Sequence, residues 1–273
     1  RARERRQPVL MAERRAHRPK LGLETLFTHT SASLERLYHS RWVCQAVFAQ
    51  LSGPARAVVL RLLCTDCSEA KLRKWAGDEE EARHRFEDAL SELRALRILR
   101  RGVDEVDGGS SARGPTATLS PGFRGGLTEA LSSAGQTPWQ GPQYRLQHDA
   151  QTSTEDVIGH MHTCWDNVLR FLVEENKDAV ALSPDIRALV ESPEVNLLRR
   201  GADGKLELTQ KGYEFMLKGV YMQVWEFIQV YLQSLSASET TREQVLDFLY
   251  HLSYCRVGDA YHKKALTDPQ REL

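Results

Sequence analysis

The chain has 273 residues, 41% hydrophobic and 27% charged, with a formal net charge of zero. That length holds two or three domains with cores of their own, and the balanced charge excludes a polyelectrolyte held to nucleic acid by bulk attraction. No run of about 18 apolar residues occurs, so no membrane-spanning helix is predicted, and five scattered cysteines point to a reducing compartment rather than a disulfide framework.

Residues 1–20 carry eight Arg/Lys against Glu4 and Glu13, a net of +6, and the remainder carries −6. A disordered basic tail is expected there. Arg rather than Met at position 1 predicts a fragment or processed chain, and the two acids argue against a transit peptide. Leu34–Tyr38 opens the first helical signal of a domain predicted over 21–131. Trp42–Leu51 continues it, with Cys44, Val47, Phe48 and Leu51 on one face. Ser52-Gly-Pro54 breaks the run, and Pro54 suits the first turn of the next helix, striped by Ala55, Val58, Val59, Leu62 and Leu63. A short helix around Leu72 and Trp75 follows. A longer one from Glu80 to Arg100 carries Phe86, Leu90, Leu93 and Leu96.

Ile98-Leu-Arg-Arg-Gly102 then leads through a polar loop to Thr116–Leu127. The same order returns at Leu197-Leu-Arg-Arg-Gly201, the turn Gly201-Ala-Asp-Gly204, the arm Lys205–Leu208 and the cap Thr209. Paired glycines around Asp are turn chemistry, since glycine reaches positive φ without a Cβ penalty. The echo extends to Leu119-Ser-Pro-Gly-Phe123 and Leu208-Thr-Gln-Lys-Gly-Tyr213, which predicts a structural repeat of winged-helix-like units. Residues 132–160 read as a linker, 161–218 as the second such domain, and 219–273 as a helical segment beginning a third. The fold class is mainly α with small β-hairpins. Its clearest helices run through Trp165–Val173 and Tyr221–Leu235.

Chemistry-bearing motifs are sparse. Cys64-Thr-Asp-Cys67 is half a zinc site without a second half. His160, His162 and Cys164 cluster at a helix start at a spacing of two, which does not stack them on one face. Gly201–Lys205 lacks phosphate-loop spacing. No catalytic constellation, metal site or cofactor fingerprint is predicted, and the chain is read as no enzyme. DNA contact needs basic side chains facing phosphates and bases. Candidates for backbone contact are Lys71, Arg73, Lys74, Arg199, Arg200 and Lys205, but Asp185, Glu191 and Glu194 oppose phosphate beside the second hairpin. Candidate protein-docking residues are Leu37, Tyr38, Trp42, Tyr221, Trp225 and Tyr231, each able to be core instead.

With these elements placed, the sequence resembles the fifty-two-kilodalton subunit of general transcription factor IIH. The resemblance runs collinearly over about residues 21–262, through Leu34-Glu-Arg-Leu-Tyr38, Val59-Leu-Arg-Leu-Leu63, Leu119-Ser-Pro-Gly-Phe-Arg124, Trp165-Asp-Asn-Val-Leu169, Leu208–Phe215, Gln223-Val-Trp-Glu-Phe227 and Phe248-Leu-Tyr-His-Leu-Ser253. It implies a non-catalytic nuclear scaffold acting in RNA polymerase II initiation and nucleotide excision repair. It also implies docking of a von Willebrand-A-like ring subunit and regulation of an XPB-type translocase ATPase. The segment holding that translocase and the smallest subunit is expected C-terminal to these residues. The alternative is a DNA-binding winged-helix regulator of transcription.

Overall fold

Side-chain caps start six of the described α-helices. In the computed structural model, which describes residues 30–77, 79–102, 116–133, 135–139, 153–201, 204–235 and 239–272, Thr30, Ser52, Ser68, Ser153, Ser183 and Thr209 each accept a hydrogen bond from the backbone N–H three residues on. Each cap satisfies one of the donors that a helix start leaves without an intrahelical partner. The architecture is mainly helical with small antiparallel sheets, as predicted. The chain divides between Gly135 and Gln136 into two units. The basic tail, the first hairpin loop, residues 140–152 of the predicted linker and residues 202–203 of the predicted second turn lie outside the described residues.

Unit 1 runs α1 (Ser31–Leu37), α2 (Arg41–Gln50), α3 (Gly53–Cys64), β1 (Cys67–Ser68), α4 (Glu69–Arg73), α5 (Glu80–Ala95), β2 (Leu99–Gly102), β3 (Thr116–Leu119) and α6 (Pro121–Ser132). Strand order is β1-β3-β2, antiparallel throughout, with Leu99 opposite Leu119 and Cys67 opposite Ala117. Strand β1 escaped the sequence, because two residues carry no periodicity and become a strand only by pairing. The continuous helix expected from Leu34 to Leu51 is broken at residues 38–40. Helix α5 stops at Ala95, short of the predicted Arg100, where Arg97 takes φ +56° and Ile98 N–H bonds back to Leu93 O at 2.9 Å. A left-handed residue closing the last turn in this way ends a helix by satisfying its carbonyls.

Helices α2 and α6 approach closely because Gly126 faces α2. A Cβ there would lie 2.6 Å from Cys44 Sγ and 2.8 Å from Tyr38 O. Around this contact Tyr38, Val43, Cys44, Val47, Phe123 and Leu127 are buried together with the α5 stripe of Leu90, Leu93 and Leu96.

Unit 2 runs α7 (Thr154–Val173), α8 (Pro184–Glu191), β4 (Leu198–Arg200), β5 (Leu206–Leu208), α9 (Gln210–Met216), α10 (Val220–Ser234), α11 (Glu239–Leu252) and α12 (Asp268–Glu272). Helix α7 starts at Thr154, so its first two turns occupy the end of the stretch read as linker. Trp139, also from that stretch, packs on Phe248, His251 and Tyr261 with ring centroids 5.4 to 6.0 Å apart. Its apolar ring thereby ties residue 139 to the third helical segment. The core of this unit gathers Val168, Phe171, Leu172, Val190, Leu197 and Phe215.

The Arg-Arg-Gly echo is structural at its strands. Leu198 faces Leu208 as Leu99 faces Leu119. Thr209 N–H bonds Leu197 O at 2.9 Å as Ser120 N–H bonds Ile98 O at 2.8 Å, and Asn196 takes φ +53° where Arg97 takes +56°. The glycine–aromatic pairs, by contrast, do not correspond. Counted from the caps, Gly212 matches Phe123. Gly212 is required because a Cβ would meet Leu197 O at 2.5 Å, whereas Phe123 fills the core of unit 1.

Candidate protein-docking surface

The predicted docking residues separate by burial. Leu37, Tyr38 and Trp42 are core: Tyr38 is 0% and Trp42 8% exposed. Tyr38 Oη donates to Leu96 O at 2.7 Å, its ring meets Phe123 edge-on, and Cys44 Sγ donates to Tyr38 O at 3.2 Å. Such burial removes all three from any docking face of unit 1. An aromatic beside a polar turn reads alike in sequence whether the partner is another protein or the chain's own helix.

Residues of α10 remain available. Tyr221 is 52% exposed and Trp225 half-buried, and one helical turn brings them to a shared face. Tyr231 lies ten residues beyond Tyr221, on another side of the helix. There, with Ile186, Leu189, Ile228 and Phe248, it lines a groove of about 590 Å³ between α8, α10 and α11. The structure therefore does not bring the three aromatics into one patch.

What holds α10 in place is a buried amide. Gln223 Oε1 accepts from Trp165 Nε1 at 2.8 Å, and Gln223 Nε2 donates to Phe215 O at 3.1 Å and Met216 O at 3.3 Å. One side chain thus joins α7, the end of α9 and α10, and buried polar groups need such partners. Trp165, Phe215 and Phe227 pack ring against ring around it.

Sequence reasoning missed several exposed apolar positions. Leu217 is 87% exposed at the end of α9, with Tyr213 and Val220 exposed nearby in the chain. On α7, Ile158 and Met161 continue toward the N-terminus the stripe that Trp165 begins, yet both are exposed. The available signal was an apolar stripe longer than the core needs. Clusters of such residues mark interaction surfaces more often than single ones do.

The predicted DNA contacts are exposed but partly engaged. Lys71, Arg73 and Lys74 lie on α4 and the turn after it, with Arg73 Nε 3.3 Å from Glu87. Arg199 pairs with Glu207 across the hairpin at 3.3 Å, Arg200 donates to Gly204 O at 3.4 Å, and Lys205 is exposed beside them. Helix α5 carries five carboxylates against three arginines, so it presents net negative charge to any phosphate. Basic side chains are therefore present, with carboxylates beside the predicted ones.

Burial pushes the Cys44 thiol up to about 12, and desolvation also raises Cys67, which pairs in β1. Neither is a thiolate near neutral pH. His160 and Cys164 do meet, at 3.5 Å and one turn apart, but among the described residues no three ligand-type side chains converge. Nor is any described helix long and apolar enough to cross a membrane.

The family model described as transcription factor Tfb2 matches residues 24–273. The chain is 26% identical over 270 residues to "General transcription factor IIH subunit 4" of Dictyostelium discoideum, covering 89% of this chain and 54% of that one. It is 24% identical to "General transcription and DNA repair factor IIH subunit TFB2" of Arabidopsis thaliana, covering 87% and 51% respectively. The Saccharomyces cerevisiae protein of the same description is 23% identical, over 86% of this chain and 44% of its own length. The chain spans about half the length of these relatives.

Proposed function

The chain belongs to the transcription factor Tfb2 family, and on that premise we propose that it is a non-catalytic scaffold subunit of general transcription and DNA repair factor IIH. The collinear match from residue 24 to residue 273 carries this reading. It is supported by exposed apolar residues on α7, α9 and α10, which suit a protein that works inside an assembly. In this reading the two hairpin-bearing units are tandem winged-helix-like domains turned to protein docking. They hold a von Willebrand-A-like ring subunit in the nucleus, for RNA polymerase II initiation and nucleotide excision repair. Regulation of the XPB-type translocase ATPase, and contact with the smallest subunit, belong to sequence beyond the matched half of the relatives.

The test is co-purification of the tagged chain with the other recombinant subunits of the factor. Recovery of the ring subunit is expected, and its absence would refute the scaffold reading. One observation favours a DNA-binding regulator instead: Arg199, Arg200 and Lys205 are exposed on one hairpin. That reading requires duplex affinity with a steep salt dependence and a sequence preference.

A further inference from the structure

The two repeated hairpins differ in what meets their arginines. Arg100 and Arg199 hold the same register position, one residue beyond the Leu99–Leu119 and Leu198–Leu208 pairs. In unit 1 the arginines are taken by carboxylates from helices outside the hairpin: Glu35 of α1 by Arg100, and Glu69 of α4 by Arg101 at 2.8 Å. Helix α1 buries Leu34 in the same turn. The first hairpin is thus met by a carboxylate carried on a short helix.

Among the described residues, the corresponding arginines of unit 2 find partners within their own hairpin. Arg199 pairs with Glu207 on the adjoining strand, the two side chains 70% and 49% exposed, and Arg200 reaches Gly204 O of the turn. An exposed cross-strand pair of this kind is weak, and leaves both guanidinium forks open to a second carboxylate. Beside them is a hollow of about 330 Å³ lined by Asn196, Leu198, Leu206 and Pro193 together with the two arginines. Glu191 borders it, but its carboxylate is engaged by Arg187 at 3.0 Å.

We propose that this hollow takes a helical segment of a partner protein, one with a Glu or Asp to meet the arginines, as Glu35 of α1 meets Arg100, and a leucine-type side chain to cover Leu206 and Pro193. The apolar lining and the forked donors fit that occupant. Duplex DNA fits less well, since its phosphates would approach Glu207 and the exposed Glu194 along with the arginines. The inference rests on the reading of the chain as a subunit, and names the chemistry of one of its contacts.

The experiment uses the full chain co-purified with the other recombinant subunits of factor IIH, with labelled duplex DNA as a separate probe. Charge reversal, Arg199→Glu with Arg200→Glu, is expected to lower recovery of at least one subunit by about tenfold or more. Arg199→Lys with Arg200→Lys, treated with a carbodiimide, is expected to cross-link position 199 or 200 to an Asp or Glu in a helix of that subunit. If charge reversal perturbs folding, this second variant decides. Unchanged recovery, or cross-links confined to Glu207, overturns the proposal while leaving the subunit reading intact. Unchanged recovery with lost duplex binding overturns it in favour of DNA. Failure of the wild-type chain to recover any subunit overturns both.

Discussion

Replacing Gln223 by Leu tests whether one buried amide holds unit 2 together. The substitution keeps the volume near constant and removes every polar atom from a side chain only 2% exposed. Trp165 Nε1 loses its acceptor at 2.8 Å, and the α9 carbonyls of Phe215 and Met216 lose donors at 3.1 and 3.3 Å. Phe215 O keeps a second donor, Lys218 N at 3.1 Å, so the orphaned indole N–H is the largest loss. Trp165 is half-buried, so its unsatisfied donor falls at the low end of the about 1–3 kcal/mol that a buried one costs, and each further hydrogen bond is worth about 1 kcal/mol. The expected loss is therefore about 2–4 kcal/mol, or roughly 8–15 °C in the Tm of a unit of this size.

Urea unfolding of the full chain, with hydrogen exchange read on peptides from α7 and α10, localises the effect to unit 2. A double-mutant cycle with Trp165→Phe should give a coupling of about 1 kcal/mol or more. A loss below about 1 kcal/mol, or a coupling indistinguishable from zero, would refute the assignment of Gln223 as the joint between α7, α9 and α10.

Four further substitutions concern unit 1. Tyr38→Phe deletes the bond to Leu96 O at 2.7 Å and should cost about 1–2 kcal/mol by urea titration, while subunit recovery in a pull-down stays unchanged because the ring is internal. Gly126→Ala should destabilise by about 1–3 kcal/mol, since its Cβ meets Cys44 Sγ and Tyr38 O below 3 Å. The neighbouring Gly125→Ala, facing open space, should instead stabilise by about 0.5–1 kcal/mol through helix propensity. Because burial holds the folded-state pKa of Cys44 up at about 12, ionisation of its thiol favours the unfolded chain. Stability from this group is complete below the unfolded pKa of about 8.5 and falls as pH rises toward 12. Cys44→Ala should flatten that alkaline limb in pH-dependent melting, and an unaltered slope would exclude the thiol as its source.

Much of this protein was legible in one dimension because the signals are local. Thr209 is a cap by its own chemistry and accepts its N–H as the sequence predicts, and Ser52 and Ser183, each just ahead of a proline, cap in the same way. The helix stripes and the duplicated strand of two apolar residues, two arginines and glycine needed no tertiary information either. The family resemblance rested on the same collinear pattern, and the match over residues 24–273 agrees with it.

Tertiary structure decided which partner each apolar face meets. Periodicity says that Leu37, Tyr38 and Trp42 face something; only the packing of α1, α2, α5 and α6 makes that something the chain itself. It likewise leaves Ile158, Met161 and Leu217 uncovered, though their letters promise burial as strongly. Strand β1 exists because Cys67 and Ser68 pair with Ala117 and Thr116, about fifty residues away, and no local rule reaches that far. The arginines make the same point: Arg100 and Arg199 repeat in sequence and in register, yet among the described residues a helix from elsewhere in unit 1 answers one and its own hairpin answers the other. A side chain's type is fixed by the sequence around it, but its partner is fixed by distance in space.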